Sequence, residues 1–216
     1  PDAPIVPADA PIVPVDAPIV PAVDSARGRE HALALGGAVH EVLERVPLGD
    51  ESGLDELAVR AATAAGLTGE AERVAMLARA CWRAAPLRAA ARAAAGPAGI
   101  GCHRELPVCV RHGGSLIEGA IDLVYRDDGL NGWVVVDYKT DARTAPEAVF
   151  ERYGGQAGAY ALAFEAASGE RVVAVAVLLA ALPGKDGAAT VVELPVDERL
   201  RELVEARLAA PTQPVL

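Results

Sequence analysis

The chain has few aromatic residues, few cysteines and no long apolar run, and each shortage argues against a class of protein. Aromatic residues make up 4% of the 216 residues and hydrophobic residues 52%, so alanine and valine must supply much of the core. The three cysteines form no C-x-x-C pair, which argues against a disulfide framework or a zinc site. No apolar run reaches the ~18 residues of a membrane span, and no basic-then-apolar signal sequence opens the chain.

Positive charge is also scarce. The formal net charge of −10 argues against a general nucleic-acid binder, which usually carries a basic surface. It leaves open an enzyme that meets DNA in one local groove. Lysine itself is nearly absent, since only Lys139 and Lys185 occur among the 20 basic residues. Because lysine is a compact ammonium and arginine a wide fork, a retained lysine indicates a position that arginine does not fill.

Residues 1–24 differ from the rest because they repeat the seven-residue unit DAPIVPx. Two prolines in each unit prevent a helix and remove hydrogen-bond donors from a sheet. We therefore expect a disordered or extended, polyproline-like linker. A docking peptide for a partner's groove is the alternative. Because the chain starts within this repeat and without an initiator methionine, we expect it to be a piece of a longer protein.

Residues 25–216 are long enough for one domain and alternate between helical and strand patterns. Helical spacing predicts helices over 27–46, 54–65, 70–95 with a break at Pro86, 145–167 and 196–209. Short β-branched runs predict strands over 102–111, 115–126, 133–139, 171–181 and 189–194. Tight turns divide the first three strands as in a β-meander. This order predicts an α/β domain in which helices flank a mixed central sheet.

The segment GAIDLVYRDDGLNGWVVVDYKTD (119–141) carries the candidate catalytic residues. Asp122 lies in one apolar strand, and Asp137 and Lys139 end the next. Residues two apart share a face of a strand, and a hairpin would bring Asp122 beside that pair. Because a buried unpaired carboxylate is costly, the two acids need a metal or a partner. A buried salt bridge with Lys139 is the alternative, but it would leave one carboxylate unmatched.

This grouping suits hydrolysis of a phosphodiester, and we assign Asp122, Asp137 and Lys139 as catalytic candidates. Two carboxylates hold oxygen-seeking ions such as Mg²⁺ or Mn²⁺. Such an ion polarises a phosphoryl oxygen and activates a water molecule. The ammonium of Lys139 orients that water and stabilises the charge that develops on the phosphate.

The same segment resembles the G-x-I-D…D-Y-K-T signature of the PD-(D/E)xK nuclease superfamily. It is most similar to the RecB-type nuclease domains of bacterial recombination helicase–nucleases of the AddAB, AdnAB and RecBCD kind. Three more motifs follow the order of that family: GGAVHEVLE at 36–44, ELPV at 105–108 and QAGAY at 156–160. The resemblance implies the restriction-endonuclease-like form of the mixed α/β fold.

The resemblance also assigns roles to individual residues. It implies that a metal ion is bound by His40, Asp122, Asp137 and the backbone carbonyl of Tyr138. Glu44 would either orient His40 or lie on a solvated face. Glu105 would either line the site or form a salt bridge. Gln156 and Tyr160, one helical turn apart, would contact phosphate, brace Lys139 or simply pack the helix.

The function implied is that of a Mg²⁺- or Mn²⁺-dependent exodeoxyribonuclease in double-strand-break repair. The implied partners are DNA, a helicase motor upstream in the same longer chain and a second helicase–nuclease subunit, all in the bacterial cytoplasm. No cysteine follows Cys109, so we expect no iron–sulfur cluster of the kind that some relatives hold. No GxxxxGK(S/T) loop is present, so we expect no ATPase in this chain. The alternatives are a catalytically inactive nuclease-like domain that binds DNA or a subunit, and a free-standing nuclease acting on RNA or invading DNA.

The segment 73–104 carries six arginines and no acid. Two pairs spaced four residues apart, Arg79/Arg83 and Arg88/Arg92, each lie on one helical face. A strip that contacts phosphates is one interpretation, since such contacts give affinity without reading sequence. A solvated face of an alanine-rich helix is the other.

Overall fold

The structure is a computed structural model that describes residues 12–14, 26–96, 101–112 and 115–209. Its helices are α1 Ala26–Arg45, α2 Leu54–Ala64, α3 Ala71–Trp82, α4 Ala85–Ala94, α5 Val149–Ser168 and α6 Glu198–Ala209. Its strands are β1 Ile12–Pro14, β2 Cys102–His112, β3 Ser115–Asp127, β4 Gly132–Lys139, β5 Val172–Pro183 and β6 Ala189–Pro195. Within the described ranges, no helix is both long enough and apolar enough to cross a bilayer.

The six strands form one sheet in the order β1-β3-β4-β5-β6, with β2 paired to β3. Strands β2, β3 and β4 form the predicted antiparallel meander. Strand β5 runs parallel to β4 after the crossover through α5, and β6 returns antiparallel to β5. The mixed central sheet predicted from the sequence is therefore confirmed.

Helices cover both faces of the sheet and divide the interior into two cores. Helices α1–α4 pack on one face and contribute many alanines, and α5 and α6 pack on the other. Strand β4 is buried from Gly132 to Tyr138, and its side chains alternate between the cores. Val134 and Val136 belong to the α1 side, and Trp133 and Val135 to the α5 side. This double burial is what the continuous apolar run predicted.

The break predicted near Pro86 lies just before that residue. Helix α3 ends at Trp82, α4 begins at Ala85, and Pro86 occupies the first turn of α4. Proline is tolerated there because the first N–H groups of a helix have no partner within the helix. Its ring therefore starts the new helix rather than ending the old one.

The proline repeat contributes a strand that was not expected. Ile12–Pro14 pairs in parallel with Leu116–Glu118 of β3. It takes the part of the β3 edge that β4 leaves open, because β4 pairs only with Leu123–Asp127. An edge strand needs donors on one side only, which is why a proline at its end is tolerated. The other residues of the 1–24 linker prediction lie outside the described residues.

Candidate metal centre

The candidate site lies where β3 and β4 separate. Their ladder ends at Leu123–Val136, whereas β4 continues to pair with β5 as far as Lys139. Beyond this last backbone pair, the Asp122 carboxylate replaces the β3 backbone as a hydrogen-bond partner of β4. Its Oδ2 accepts a hydrogen bond from the Tyr138 N–H at 2.6 Å. The separation opens a cleft whose walls include Asp122 and Asp137. Both acids are buried, at 8% and 2% exposure.

A kink shared by β2 and β3 positions two of the acids. Ile121 packs in the core on the α5 side and Leu123 in the core on the α1 side, although residues two apart normally share a face. The alternation therefore reverses at Asp122, and β2 reverses in the same way across Glu105. Glu105 has φ 45°, a left-handed conformation that costs a non-glycine residue about 1–3 kcal/mol. Both acids of the kink line the cleft.

Three side chains converge as a possible ligand group. One donor atom from each of His40, Glu105 and Asp122 lies within 4.8 Å of the other two. His40 Nδ1 is 3.3 Å from Asp122 Oδ1, and its Nε2 is 3.2 Å from the Tyr138 carbonyl oxygen. Asp137 lines the same cleft. Carboxylate and carbonyl oxygens are donors that suit Mg²⁺ or Mn²⁺, and the His40 imidazole would add one nitrogen donor.

Lys139 is held on the α5 side of this group. Its Nζ donates to Asp137 Oδ1 at 2.8 Å and to Gln156 Oε1 at 2.9 Å. It also lies 5.1 Å from the centre of the Tyr153 ring, a cation–π contact. Strand β4 and helix α5 thus fix the ammonium from two sides.

The Asp137 carboxylate is only half satisfied. Its Oδ2 is buried and has no hydrogen-bond partner among the described residues. Burial and the Asp122 charge raise the pKa of the Asp137 carboxyl above its usual range, although the Lys139 ammonium opposes this. A buried acceptor without a donor is costly. A divalent cation would supply the missing positive charge, so the residues present fit a metal.

The pKa values of the neighbouring groups Asp122, Lys139 and His40 are each shifted in favour of the charged form. Burial opposes the charge of Asp122, but His40, Lys139 and the Tyr138 N–H together hold the pKa of that carboxyl below its usual range. Burial likewise opposes the charge of Lys139, yet Asp137 and Asp122 raise its pKa. Burial also opposes the charge of His40, but the Asp122 carboxylate outweighs it and raises the pKa of His40 from 6.5 to about 9. The ion-free cleft therefore holds protons on its imidazole and its amine near neutral pH.

The remaining predicted residues fall into two groups. Gln156 and Tyr160 both line the cleft from α5, and Gln156 braces Lys139 directly. Glu105, for which lining the site and a salt bridge were equal alternatives, lines the cleft. Glu44 is exposed on α1 and is not part of the cleft lining, so the structure favours its solvated-face alternative.

Sequence reasoning missed the side chains that pin the loop after β4. The Asp141 carboxylate accepts hydrogen bonds from Thr144 Oγ1 at 2.7 Å and from the Arg143 N–H at 2.9 Å, and it pairs with Arg152 at 3.2 Å. Asp141 is the last residue of the D-Y-K-T-D string, and Tyr153 lies one turn before Gln156. Their place beside recognised motif residues was the signal that would have found them.

The arginines of 73–104 do not reach the cleft. Arg79 pairs with Asp55 at 2.7 Å, and Arg83 with Glu51 at 3.4 Å. Arg104 donates to the carbonyl of Leu43 in the last turn of α1, at 3.1 Å, and to that of Val46 just after the helix, at 2.6 Å. These contacts favour a structural and solvated role over a strip that binds phosphate.

Comparison with known protein families agrees with this geometry. The profile of the PD-(D/E)XK nuclease superfamily matches residues 21–213, a range that contains every residue lining the cleft. No curated protein matches the chain.

Proposed function

The chain belongs to the PD-(D/E)XK nuclease superfamily, and from that premise we propose that it hydrolyses DNA phosphodiesters with the help of Mg²⁺ or Mn²⁺. One observation carries the proposal. Asp137 Oδ2 is a buried acceptor with no partner among the described residues, in the same cleft as His40, Glu105 and Asp122. A retired site would have no reason to keep such a group, because an unmatched buried charge only destabilises the fold.

The ligands of the ion would come from four elements. His40 on α1, Glu105 on β2, Asp122 on β3 and Asp137 on β4 would hold it, with the Tyr138 carbonyl as a further oxygen. When bound, the ion would polarise a phosphoryl oxygen and lower the pKa of a water molecule. Each ligand stands on a helix or strand of a packed core, so the group is organised before substrate arrives.

Lys139 acts as a hydrogen-bond donor rather than as a general base. Its pKa is raised, so the amine stays protonated near neutral pH. Two of its three N–H groups donate to Asp137 and Gln156. These two hydrogen bonds fix the direction of the third N–H. That N–H is suited to hold the attacking water or to stabilise charge on a non-bridging phosphate oxygen.

We also propose a setting for the reaction, as the nuclease domain of a helicase–nuclease that processes double-strand breaks in the bacterial cytoplasm. The support is the four RecB-type motifs in family order and the proline repeat, which suits a tether between two domains. A motor in the same longer chain, with or without a second helicase–nuclease subunit, would supply DNA affinity that a domain of net charge −10 lacks.

The direct test is cleavage of single-stranded DNA by the full chain with Mg²⁺ or Mn²⁺. We expect Asp137→Ala and Lys139→Ala to lose activity by roughly a hundredfold or more. Asp128→Ala, which removes an acid whose side chain is 96% exposed, is the matched control and should cut normally. End-labelled, circular and RNA substrates distinguish exonuclease, endonuclease and ribonuclease action.

Three results would count against the proposal. Equal products from the wild type and both site variants would remove the enzyme claim. Cleavage that persists after chelation with EDTA would remove the metal claim while leaving a nuclease. Binding of DNA without cleavage by the wild type would instead favour the inactive, nuclease-like alternative.

A further inference from the structure

Two consecutive glycines interrupt α1 one turn before His40. Glycine inside a helix is unfavourable because it loses more backbone freedom on folding than other residues. Neither Gly36 nor Gly37 adopts a positive φ, so backbone conformation does not require glycine at either position. Packing or a ligand must account for them.

The two positions differ in what surrounds them. A Cβ at Gly36 would lie 3.4 Å from Thr140 Oγ1, because α1 lies against the loop after β4 there. A Cβ at Gly37 would meet nothing within 4 Å. Gly37 is exposed, and yet it lines the cleft that holds the acids. In the G-x-x-x-H pattern of the helix the glycine is Gly36, so the motif does not explain Gly37 either.

Leu33 lies one turn before Gly37 on the same face of α1. It is 45% exposed, one of four large hydrophobic side chains that are exposed among the described residues. It also lines the cleft. Leu33 and Gly37 together form an uncharged wall, which we call the α1 wall. On the sheet side the charged groups of the cleft are Glu105, Asp122, Asp137 and Lys139, and the charged group that α1 contributes, His40, lies about one turn beyond this wall.

A nucleotide has parts that match these two sides. Its phosphate would lie on the sheet side, beside the Lys139 ammonium and the cation that the carboxylates there would hold, because Asp137 Oδ2 is an acceptor that needs a cation rather than an anion. Its sugar and base are then left to the uncharged side. The cleft has a volume of about 370 Å³, near the lower end of the roughly 300–1,000 Å³ typical of ligand sites. Such a volume suits one nucleotide unit rather than a duplex.

We propose that the α1 wall seats one nucleoside of the substrate strand, with the sugar passing over Gly37 and the base resting on Leu33. The inference rests on the proposed nuclease function and specifies how that site holds its strand. Glycine is present at 37 because a side chain would occupy the path of the sugar. Gly37 and Leu33 are positioning residues, since they hold the nucleotide whose phosphate is cut.

The test compares Gly37→Ala, Gly37→Leu and Leu33→Ala in the full chain. Steady-state KM and kcat are measured on a short single-stranded oligonucleotide with Mg²⁺, and binding of the same oligonucleotide is followed by fluorescence anisotropy in Ca²⁺. We expect Gly37→Leu to raise KM roughly tenfold to a hundredfold. The KM values of Gly37→Ala and Leu33→Ala should lie between those of the wild type and Gly37→Leu. Mn²⁺ binding and the thermal midpoint should not fall. The control, Ala64→Leu, adds the same apolar side chain at the exposed end of α2 and should change neither KM nor binding.

Each other outcome would overturn the proposal in a recognisable way. If Gly37→Leu cuts with the KM of the wild type, the α1 wall does not hold substrate, although the nuclease function stands. If kcat falls with a lowered thermal midpoint and an unchanged KM, the role of Gly37 is structural. If the wild type neither cuts nor binds the oligonucleotide, both proposals fail. Should Gly37→Leu not fold, Gly37→Ala carries the test, because alanine favours the helix.

Discussion

Two of the cavities among the described residues have their charges arranged in opposite ways. The larger, of about 880 Å³, is a groove lined by α2 and α3. Its arginines are matched, since Arg79 pairs with Asp55 at 2.7 Å and Arg83 with Glu51 at 3.4 Å. The smaller, of about 370 Å³, is the cleft among α1, the sheet and α5. There the buried Asp137 keeps an oxygen without a partner among the described residues.

The difference shows which property marks a site in this molecule. Exposed ion pairs contribute only about 0–1 kcal/mol to stability. The ion pairs of the α2–α3 groove therefore stabilise the fold little, and their charges need no further partner. Buried charges cost several kcal/mol each unless their partners are complete. The cleft therefore has unfavourable energy that a bound cation would relieve. Burial with incomplete neutralisation marks the cleft as the candidate site, whereas cavity volume and the number of arginines would favour the α2–α3 groove.

The largest expected effect is on kcat, and it tests whether the shape of a positively charged side chain matters in the cleft but not in the α2–α3 groove. Lys139→Arg should lower kcat roughly a hundredfold or more, because a planar guanidinium does not fit the place of an ammonium held between Asp137 and Gln156. Arg79→Lys in the α2–α3 groove should leave kcat unchanged. Cleavage of single-stranded DNA by both variants checks this. Normal turnover by Lys139→Arg would mean that the cleft needs only a positive charge at this position, whatever the shape of the side chain.

The next effect concerns the kink in β2. Glu105→Ala and Glu105→Gly should both weaken Mn²⁺ binding by roughly tenfold to a hundredfold. Because Glu105 has φ 45°, the glycine variant should unfold with a free energy about 1 kcal/mol higher than that of the alanine variant. Calorimetric titration and urea unfolding measure the two quantities. Asp55→Ala is the control from the groove, and a Glu105→Ala protein with wild-type Mn²⁺ affinity would exclude this carboxylate as a ligand.

A pH dependence should belong to the cleft alone. The ion-free chain keeps a proton on His40 up to its pKa of about 9, whereas a metal ion binds the neutral imidazole. Metal affinity should therefore rise by up to roughly tenfold per pH unit from pH 7 and level off near pH 9, with release of one proton per ion below that. Mn²⁺ titrations in buffers of different ionisation enthalpy detect this proton. His40→Gln should abolish the slope, and a slope that persists would assign the proton to another group.

The smallest effect is expected in the α2–α3 groove. Arg79→Ala breaks an ion pair whose Asp55 side chain is 70% exposed. The free energy of unfolding should change by about 0–1 kcal/mol, and cleavage should not change. Urea unfolding and the DNA assay check both statements. A large loss of DNA binding would show that the groove, rather than the cleft, contacts the strand.

Much of the fold could be predicted because the residues involved act locally. The apolar run before Asp137 predicted a strand buried on both faces, and the structure has it. The two-residue spacing predicted that Asp137 and Lys139 share a face, and both line the cleft. The kink at Glu105 could not be predicted, since no glycine or asparagine marks the left-handed residue. Strand β1 could not be predicted either, because prolines argue against pairing.

The sequence by itself determined the elements of this protein and the chemistry available to them. Helical and strand periodicities depend on neighbours a few residues apart, so they can be read along the chain. Only the tertiary structure decided which groups meet. His40 and Tyr138 are 98 positions apart, and their contact depends on how α1 packs against the end of β4. The unmatched oxygen of Asp137 likewise exists only because that packing removes water, and no local pattern records the depth of burial.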